Sequence, residues 1–214
     1  MSNGLGTTDE ARPHISLTFD DGPDPIWTPR VLEALREDDA RATFFVVAPR
    51  AREFPGLISE MFQAGHGIEL HCTQHIRHTE LTRHEIESDT RDGLADLELL
   101  GVRPRLWRPP WGVLSPWTEP VAEMFGLRIA LWTIDTHDWR GDPASDMLKS
   151  AETTLAPGSV ILLHDGLGPG ALRSGSEETI AVIDELVDSI RALGCEPAPM
   201  TVRDAAPIPD RARV

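Results

Sequence analysis

Two histidines spaced four residues apart and a pair of adjacent aspartates are well suited to metal chemistry. In a helical turn, His71 and His75 would project both imidazoles to one side, which is the arrangement of a two-histidine metal pair. Asp20 or Asp21 could supply the carboxylate that completes a three-ligand site and leaves a position open for water. At a turn, one aspartate can bind the metal while the other accepts a proton from the water that the metal activates.

Other polar residues complete a set for the hydrolysis of an amide or ester. His164 is a candidate for the acid that protonates the leaving group, and either Asp135 or Asp138 could orient and charge its imidazole. Arg108 could hold the base carboxylate in its ionised form. Together these residues predict metal-assisted hydrolysis.

Each signal has an ordinary structural explanation when it is taken alone. Asp20-Asp21-Gly22-Pro23 is a typical turn sequence, and two histidines at this spacing are more often a pair on a helix surface. A histidine such as His164, after a buried strand, is more often structural. Cys72 is predicted to be a small buried filler rather than a thiolate ligand. Gly166–Gly170 is predicted to be a flexible loop, because its spacing misses the phosphate-binding pattern.

The elements that must position these residues are short apolar segments that alternate with stretches of helical spacing. The predicted strands are His14–Phe19, Arg41–Ala48, Ile68–Leu70, Arg105–Trp107, Arg128–Ile134, Ser159–Leu163 and Glu196–Val202. Five of the seven run directly into acidic, imidazole or guanidinium groups, whereas their opposite ends show no such cluster. Since the sites of parallel α/β folds lie at the carboxyl ends of the strands, we expect these groups to meet at one mouth of a parallel sheet, open or closed into a barrel.

The predicted helices have recognisable ends. Thr28 followed by Pro29 is typical of an N-cap with proline at the first helical position. Thr82 and Glu85 form the pattern of a capping box that opens a helix to about Leu100. Glycines stand where four helices should end, at Gly65, Gly101, Gly126 and Gly194.

Composition excludes several classes of function. The 214 residues, 40% of them hydrophobic, fit one globular domain, which we place at 14–203 between loose tails at 1–13 and 204–214. A net charge of −15 argues against nucleic acid or an anionic membrane surface as a partner. We find no run of apolar residues long enough for a membrane span and no signal-peptide pattern, so a cytoplasmic protein is expected. Nothing in the sequence indicates an oligomeric state.

These motifs, in this order, resemble those of the polysaccharide deacetylase family, which is also described as NodB-like or carbohydrate esterase family 4. The resemblance runs from about His14 to Val202, and Thr18–Pro23 is identical to the family's first motif. It implies that Asp20 is the catalytic base. It further implies that the metal ligands are Asp21, His71 and His75.

The remaining motifs are also matched. The resemblance implies that Arg108, in Arg108–Gly112, tethers the base, and that His164, in Leu162–Asp165, is the acid. Asp135–Trp139 is similar to the fourth motif. The implied fold is a distorted (β/α)7 TIM-like barrel of the NodB homology type, an α/β single domain.

Two positions depart from the family pattern. Cys72 stands where relatives usually carry serine or threonine, which bears on the affinity for the metal and on its identity. Trp111 replaces a tyrosine whose backbone amide helps hold the oxyanion; the amide survives this change, but the wall becomes larger. We predict that Pro110, Trp111 and Trp139 contact the substrate, since aromatic faces suit sugar rings, although barrel packing is the alternative for Trp139.

The predicted activity is a hydrolase acting on carbon–nitrogen bonds other than peptide bonds, which removes the acetyl group of an N-acetylated sugar. The predicted cofactor is a divalent metal, with zinc favoured over cobalt, nickel or manganese. One alternative is an amidase or imidase that acts on a small cytoplasmic substrate, with or without a metal. A more remote alternative is an inactive carbohydrate-binding homologue.

Overall fold

The computed structural model describes residues 13–205 of the chain. The predicted tails therefore lie almost wholly outside the described residues, and the domain limits stay a prediction. At the C-terminal end of this range, Asp204 accepts hydrogen bonds from the amide and hydroxyl of Thr201 and pairs with His14 at 3.1 Å. Within 13–205, no helix is long and apolar enough to cross a membrane.

In the described part of the chain, eight short parallel strands form the sheet. They are β1 His14–Asp20, β2 Thr43–Val47, β3 Gly67–Cys72, β4 Leu106–Trp107, β5 Arg128–Ile129, β6 Ile134–Asp135, β7 Val160–His164 and β8 Glu196–Pro197. Seven lie in the order β5-β4-β3-β2-β1-β7-β6, while β8 pairs with the start of β1. The strands β1 and β7 are buried along almost their whole length. In β7 the apolar run Val160–Leu163 does not alternate with polar residues, as suits a strand covered on both faces.

Between residues 13 and 205, eight helices flank the sheet. They are α1 Trp27–Glu37, α2 Ala48–Glu53, α3 Pro55–Gln63, α4 Arg83–Leu99, α5 Thr118–Met124, α6 Ala144–Glu152, α7 Glu177–Ala181 and α8 Ile183–Ala192. Short 3-10 turns cover His78–Glu80, Pro110–Gly112 and Asp138–Arg140. The apolar faces of the helices pack on the sheet; in α8, for example, Ile183, Leu186, Val187 and Ile190 are all buried.

One segment joins the two edges of the curled sheet. Its first part, β5, pairs with β4, and its last part, β6, pairs with β7. Between them the amide of Ala130 donates to Trp107 and the amide of Thr133 donates to Val160, each at 2.9 Å. The distorted barrel is therefore confirmed, but the strand predicted at Arg128–Ile134 is two strands, because the segment leaves one sheet edge to reach the other.

The helix ends follow the sequence with one exception. Gly65, Gly101, Gly126 and Gly194 all have positive φ, between 69° and 78°. The N-cap predicted at Thr28 is wrong: α1 begins at Trp27, and Oδ1 of Asp24 accepts the amides of Ile26 and Trp27 instead. The Thr28 hydroxyl donates to the buried Asp165 at 2.5 Å.

The capping box of α4 gives a test of this local structure. The Thr82 hydroxyl accepts the Glu85 amide, and the Glu85 carboxylate accepts the Thr82 amide. Thr82→Ala should lower the free energy of unfolding by about 1 kcal/mol in urea denaturation. The exposed neighbour His84 is the control, since His84→Ala should change it by less than about 0.5 kcal/mol. Equal losses in both variants would contradict the capping assignment.

Candidate active site

The turn after β1 brings two adjacent carboxylates into one cavity. Asp20 is the last residue of β1, and Asp21 has φ 72°, so the backbone leaves the extended conformation between them. Both residues consequently line the same cavity. A left-handed conformation at a residue other than glycine costs roughly 1 kcal/mol or more, and neighbouring donors hold the turn in place. They reach three successive carbonyls: Asp165 N to Asp20 at 3.2 Å, Arg50 Nη1 to Asp21 at 2.8 Å, and Val47 N to Gly22 at 2.8 Å.

Asp21, His71 and His75 form a cluster that fits a divalent metal ion. Asp21 Oδ1 lies 3.3 Å from Nε2 of His71 and 3.2 Å from Nε2 of His75, and the three ligand atoms all lie within 4.8 Å of one another. His71 Nδ1 donates to the Arg108 carbonyl at 2.7 Å, which leaves its Nε2 lone pair facing the cluster. Asp21 Oδ1 and His75 Nδ1 are buried without a hydrogen-bond partner among the described residues. A set of buried donors of this chemistry suits a metal.

The charge state of Asp21 also suits a metal ligand. Burial alone would raise the pKa of this carboxyl, but the facing imidazoles of His71 and His75 outweigh burial and hold the pKa well below its usual value. Asp21 is therefore ionised at neutral pH. Burial raises the pKa of the Cys72 thiol well above its usual value, and Cys72 lies outside the cluster, in agreement with the predicted small filler.

Arg108 holds Asp20 in a buried ion pair. The guanidinium is fully buried, and its Nη1 donates to Asp20 Oδ1 at 2.8 Å and to the Thr18 hydroxyl at 2.8 Å. Its Nε donates to the Ala130 carbonyl at 3.0 Å, while the ring of Phe45 lies 4.0 Å from the guanidinium carbon. The Asp20 carboxylate is therefore oriented by a guanidinium that Thr18, Ala130 and Phe45 hold in place.

His164 forms the second ion pair of the site, and its partner is Asp138. His164 Nδ1 lies 2.7 Å from Asp138 Oδ1, and Oδ2 of the same carboxylate accepts the His164 amide at 2.8 Å. Burial lowers the pKa of His164, but the Asp138 carboxylate outweighs burial and raises that pKa to about 9. Asp135 does not form this pair; its Oδ1 accepts the His137 amide at 2.8 Å, and the residue lines the cavity.

The cavity at the mouth of the barrel has a volume of about 340 Å³. Most of the predicted site residues line it: Asp20, Asp21, His71, His75, Trp111, Asp135, Trp139 and His164. Arg108 and Asp138 lie buried behind this surface, each bonded to a lining residue. Pro110 is also buried and does not belong to the described lining, so its contact with substrate stays a prediction.

Trp111 forms one wall of this cavity. It has φ 55°, its ring meets His75 edge-on with centroids 4.2 Å apart, and the Arg77 guanidinium lies 4.4 Å above its face. Trp132 lines the cavity as well. A Cβ added at Gly112 would come within 2.7 Å of the Trp132 ring, which explains the glycine after Trp111.

Sequence reasoning missed several residues of the site. Arg173 and Thr179 both donate to Asp138 Oδ2, at 3.1 and 2.9 Å, although they lie at least 35 residues further along the chain. Arg50 donates to the carbonyl of Asp21 from the first turn of α2. No spacing rule links these residues to their partners, so only the fold could reveal them.

The glycine-rich segment predicted as a flexible loop packs directly on Asp21, one of the three residues of the cluster that fits a metal. A Cβ added at Gly168 would lie 2.0 Å from Asp21 Oδ2, and one added at Gly166 would lie 2.5 Å from the Asp21 carbonyl. Arg50 Nη2 also donates to the Leu167 carbonyl at 3.3 Å. The segment needs glycine at these two positions because it approaches Asp21 closely.

This close approach predicts that Gly168→Ala weakens metal binding. The added methyl group would displace the Asp21 carboxylate. Mutation of residues that surround a metal ligand typically lowers metal affinity roughly 10-fold to 100-fold. Calorimetric titration of the metal-free protein with zinc would measure the change. Gly56→Ala is the matched control, because Gly56 lies in α3 with no atom near its added Cβ. Unchanged zinc affinity in Gly168→Ala would contradict the packing described for this loop.

Comparisons with known proteins identify relatives of this chain. Residues 7–130 match the family described as Polysaccharide deacetylase. A peptidoglycan-N-acetylglucosamine deacetylase of Bacillus cereus is 32% identical over 84% of this chain and 83% of its own length. A chitooligosaccharide deacetylase of Azorhizobium caulinodans is 34% identical over 84% and 89%, respectively.

Solved structures agree with these sequence matches. A family 4 carbohydrate esterase from Streptomyces lividans, solved in complex with acetate, superposes with a TM-score of 0.82 and 26% identity. The superposition covers 92% of this chain and 97% of that structure. The sequence match, the shared barrel and the Asp-His-His cluster lead to one conclusion: the chain belongs to the polysaccharide deacetylase family.

Proposed function

We propose that this protein is a metal-dependent deacetylase that hydrolyses the N-acetyl group of N-acetylglucosamine residues in an oligosaccharide or polysaccharide. The observation that carries the proposal is the convergence of three elements on one cavity. These are a tethered carboxylate at Asp20, the cluster of Asp21, His71 and His75, and a charged imidazole at His164. A protein that only bound sugar would not need all three.

Each of the two ion pairs, Arg108–Asp20 and Asp138–His164, carries out one proton transfer of the proposed reaction. A bound divalent metal would polarise the acetyl carbonyl and lower the pKa of a water molecule. Asp20 accepts a proton as the oxygen of this water bonds to the carbonyl carbon. His164 then donates its proton to the amide nitrogen as the carbon–nitrogen bond breaks, which releases acetate and a free amine. Arg108 and Asp138 hold these two groups in the required orientation and charge state, and the backbone amide of Trp111 stays the predicted donor to the oxyanion.

We propose zinc as the metal. Two imidazoles and one carboxylate are a ligand set that zinc uses in catalytic sites, where a further position remains for water. Cobalt, nickel and manganese also accept such ligands. Metal analysis of the purified protein, followed by zinc, cobalt, nickel or manganese added back after chelation, would rank them by restored activity.

The names of the relatives favour an N-acetylglucosamine substrate over a small amide. One sequence relative is named as a peptidoglycan-N-acetylglucosamine deacetylase and the other as a chitooligosaccharide deacetylase. Trp111, Trp132 and Trp139 line the cavity with aromatic surface, which suits a sugar ring. A cytoplasmic location stays a prediction, as does the alternative of a small cytoplasmic amide or imide.

A paired assay tests the function. The zinc-loaded protein should release equal amounts of acetate and free amine from N-acetylglucosamine oligosaccharides, and a chelator should abolish the release. Small amides and cyclic imides would be assayed alongside through their amine or ammonia product. Turnover of these small substrates alone would favour the amidase alternative. The absence of turnover with every substrate would favour the inactive binding homologue.

Substitution at Asp20 separates the base from the metal site. Asp20→Asn should lower kcat by at least about 100-fold, because general-base catalysis typically contributes that much, while zinc still binds. His71→Ala should lose both zinc and activity, since the His71 imidazole is one of the three groups proposed to bind the metal. Calorimetry and the acetate assay would measure the two properties. Full activity in Asp20→Asn would show that another group acts as the base.

The pH profile tests the pairing of His164 with Asp138. Because the Asp138 carboxylate raises the pKa of His164, the acid form persists at neutral pH and kcat falls only as the imidazole loses its proton. Asp138→Asn removes that charge, so the alkaline limb of kcat should move to lower pH. Asp135→Asn is the control in the same cavity and should leave the limb in place. Movement of the limb in Asp135→Asn alone would reverse the assignment.

A further inference from the structure

Arg173 joins the acid pair to the loop that covers the metal cluster. Its Nη1 donates to Asp138 Oδ2 at 3.1 Å and to the Thr179 hydroxyl. Its Nη2 donates to the His164 carbonyl at 2.8 Å and to the Gly166 carbonyl at 3.3 Å. The side chain is only 6% exposed, although the residue lines the cavity.

The buried Asp138 needs a second cation once His164 has given up its proton. While His164 is protonated, the imidazolium balances the fully buried carboxylate. After proton transfer to the leaving amine, the imidazole is neutral, and a buried carboxylate without a charged partner is costly. Thr179 and the His164 amide supply neutral hydrogen bonds, whereas Arg173 supplies a charge that persists in both states.

We propose that Arg173 is a positioning residue of the acid step, which balances Asp138 after His164 has donated its proton and fastens the loop at 166–173 beside Asp21. This inference rests on the proposed function, in which His164 is the acid. The metal side of the loop is held separately by Arg50, which donates to the carbonyls of Asp21 and Leu167 and makes no bond to Asp138 or His164. Arg50 therefore holds the loop without contacting the acid pair, whereas Arg173 contacts both the loop and the acid pair.

The charged groups around His164 give the direction of the expected effect. Asp138 contacts its ring, the carboxylates of Asp20 and Asp21 act on it from the end of β1, and Arg173 approaches from the loop. Arg108 neutralises Asp20. Removing Arg173 takes one positive charge away from the surroundings of His164, whether or not the metal is bound, so His164 should hold its proton more tightly. The alkaline limb of kcat should then move to higher pH, which is opposite to the effect of Asp138→Asn.

The test compares Arg173→Met with Arg50→Met in the zinc-loaded protein. For Arg173→Met we expect a loss in kcat of roughly 10-fold to 100-fold and an alkaline limb at higher pH. The His164 ring should titrate at higher pH in NMR spectra as well. The proposal makes no prediction for KM or zinc affinity in Arg50→Met. It predicts that the titration of His164 in this variant stays as in the parent protein.

Three results would overturn the proposal: an unmoved His164 titration in Arg173→Met, a titration that moves to lower pH, or the same shift in both variants. If circular dichroism shows that Arg173→Met does not fold, the proposal is tested with Arg173→Lys instead. The single ammonium cannot reach all four acceptors, so kcat should fall several-fold without the upward shift, and parent kcat would overturn the proposal.

The titration also separates this inference from the function that it rests on. NMR follows His164 without turnover, so an inactive parent protein would contradict the proposed deacetylase while the titration still tests Arg173. An active parent with an unchanged Arg173→Met variant would contradict the inference alone.

Discussion

The site depends on the buried arginine at the end of β4. Arg108 binds the Asp20 carboxylate and the Thr18 hydroxyl of β1, the carbonyl of Ala130 in the segment that closes the barrel, and, through its own carbonyl, the ring of His71 in β3. One residue thus fixes Asp20, His71 and the closure of the sheet. Removing a charged partner from such a pair leaves the other buried and unpaired, which typically costs about 3–5 kcal/mol. The chemistry and the stability of this barrel therefore share one interaction.

A second buried ion pair, at Asp138, repeats this arrangement beside His164. Asp138 is as buried as Asp20, and each carboxylate has an arginine, Arg108 for Asp20 and Arg173 for Asp138. The difference lies in His164, whose Nδ1 lies 2.7 Å from the other oxygen of Asp138, Oδ1. Although the chain has a net charge of −15, Asp20 and Asp138 are each balanced locally by an arginine. The overall charge therefore bears on partners at the surface and says little about the reaction.

The features that the sequence predicts well are those decided by neighbours along the chain. The capping box at Thr82, the glycines that end helices and the polar residues at strand ends depend on local patterns, and they are present in the structure. The division of Arg128–Ile134 into two strands depends on which sheet edges lie nearby, and no local pattern encodes that. The choice of Asp138 over Asp135 as the partner of His164 likewise depends on how the chain turns after β6. Arg173 is invisible in the sequence because its partner lies 35 residues earlier.

The two histidines of the metal cluster are oriented by different means, and this gives Trp111 a structural role. His71 is held by the hydrogen bond from its Nδ1 to the Arg108 carbonyl. His75 Nδ1 has no such partner among the described residues, so its ring is oriented by the contact of Nε2 with Asp21 and by packing. The edge-on contact with Trp111 supplies that packing, and the Arg77 guanidinium covers the indole face. The indole at this position thus shapes the cavity wall and also holds His75 in the cluster that fits a metal.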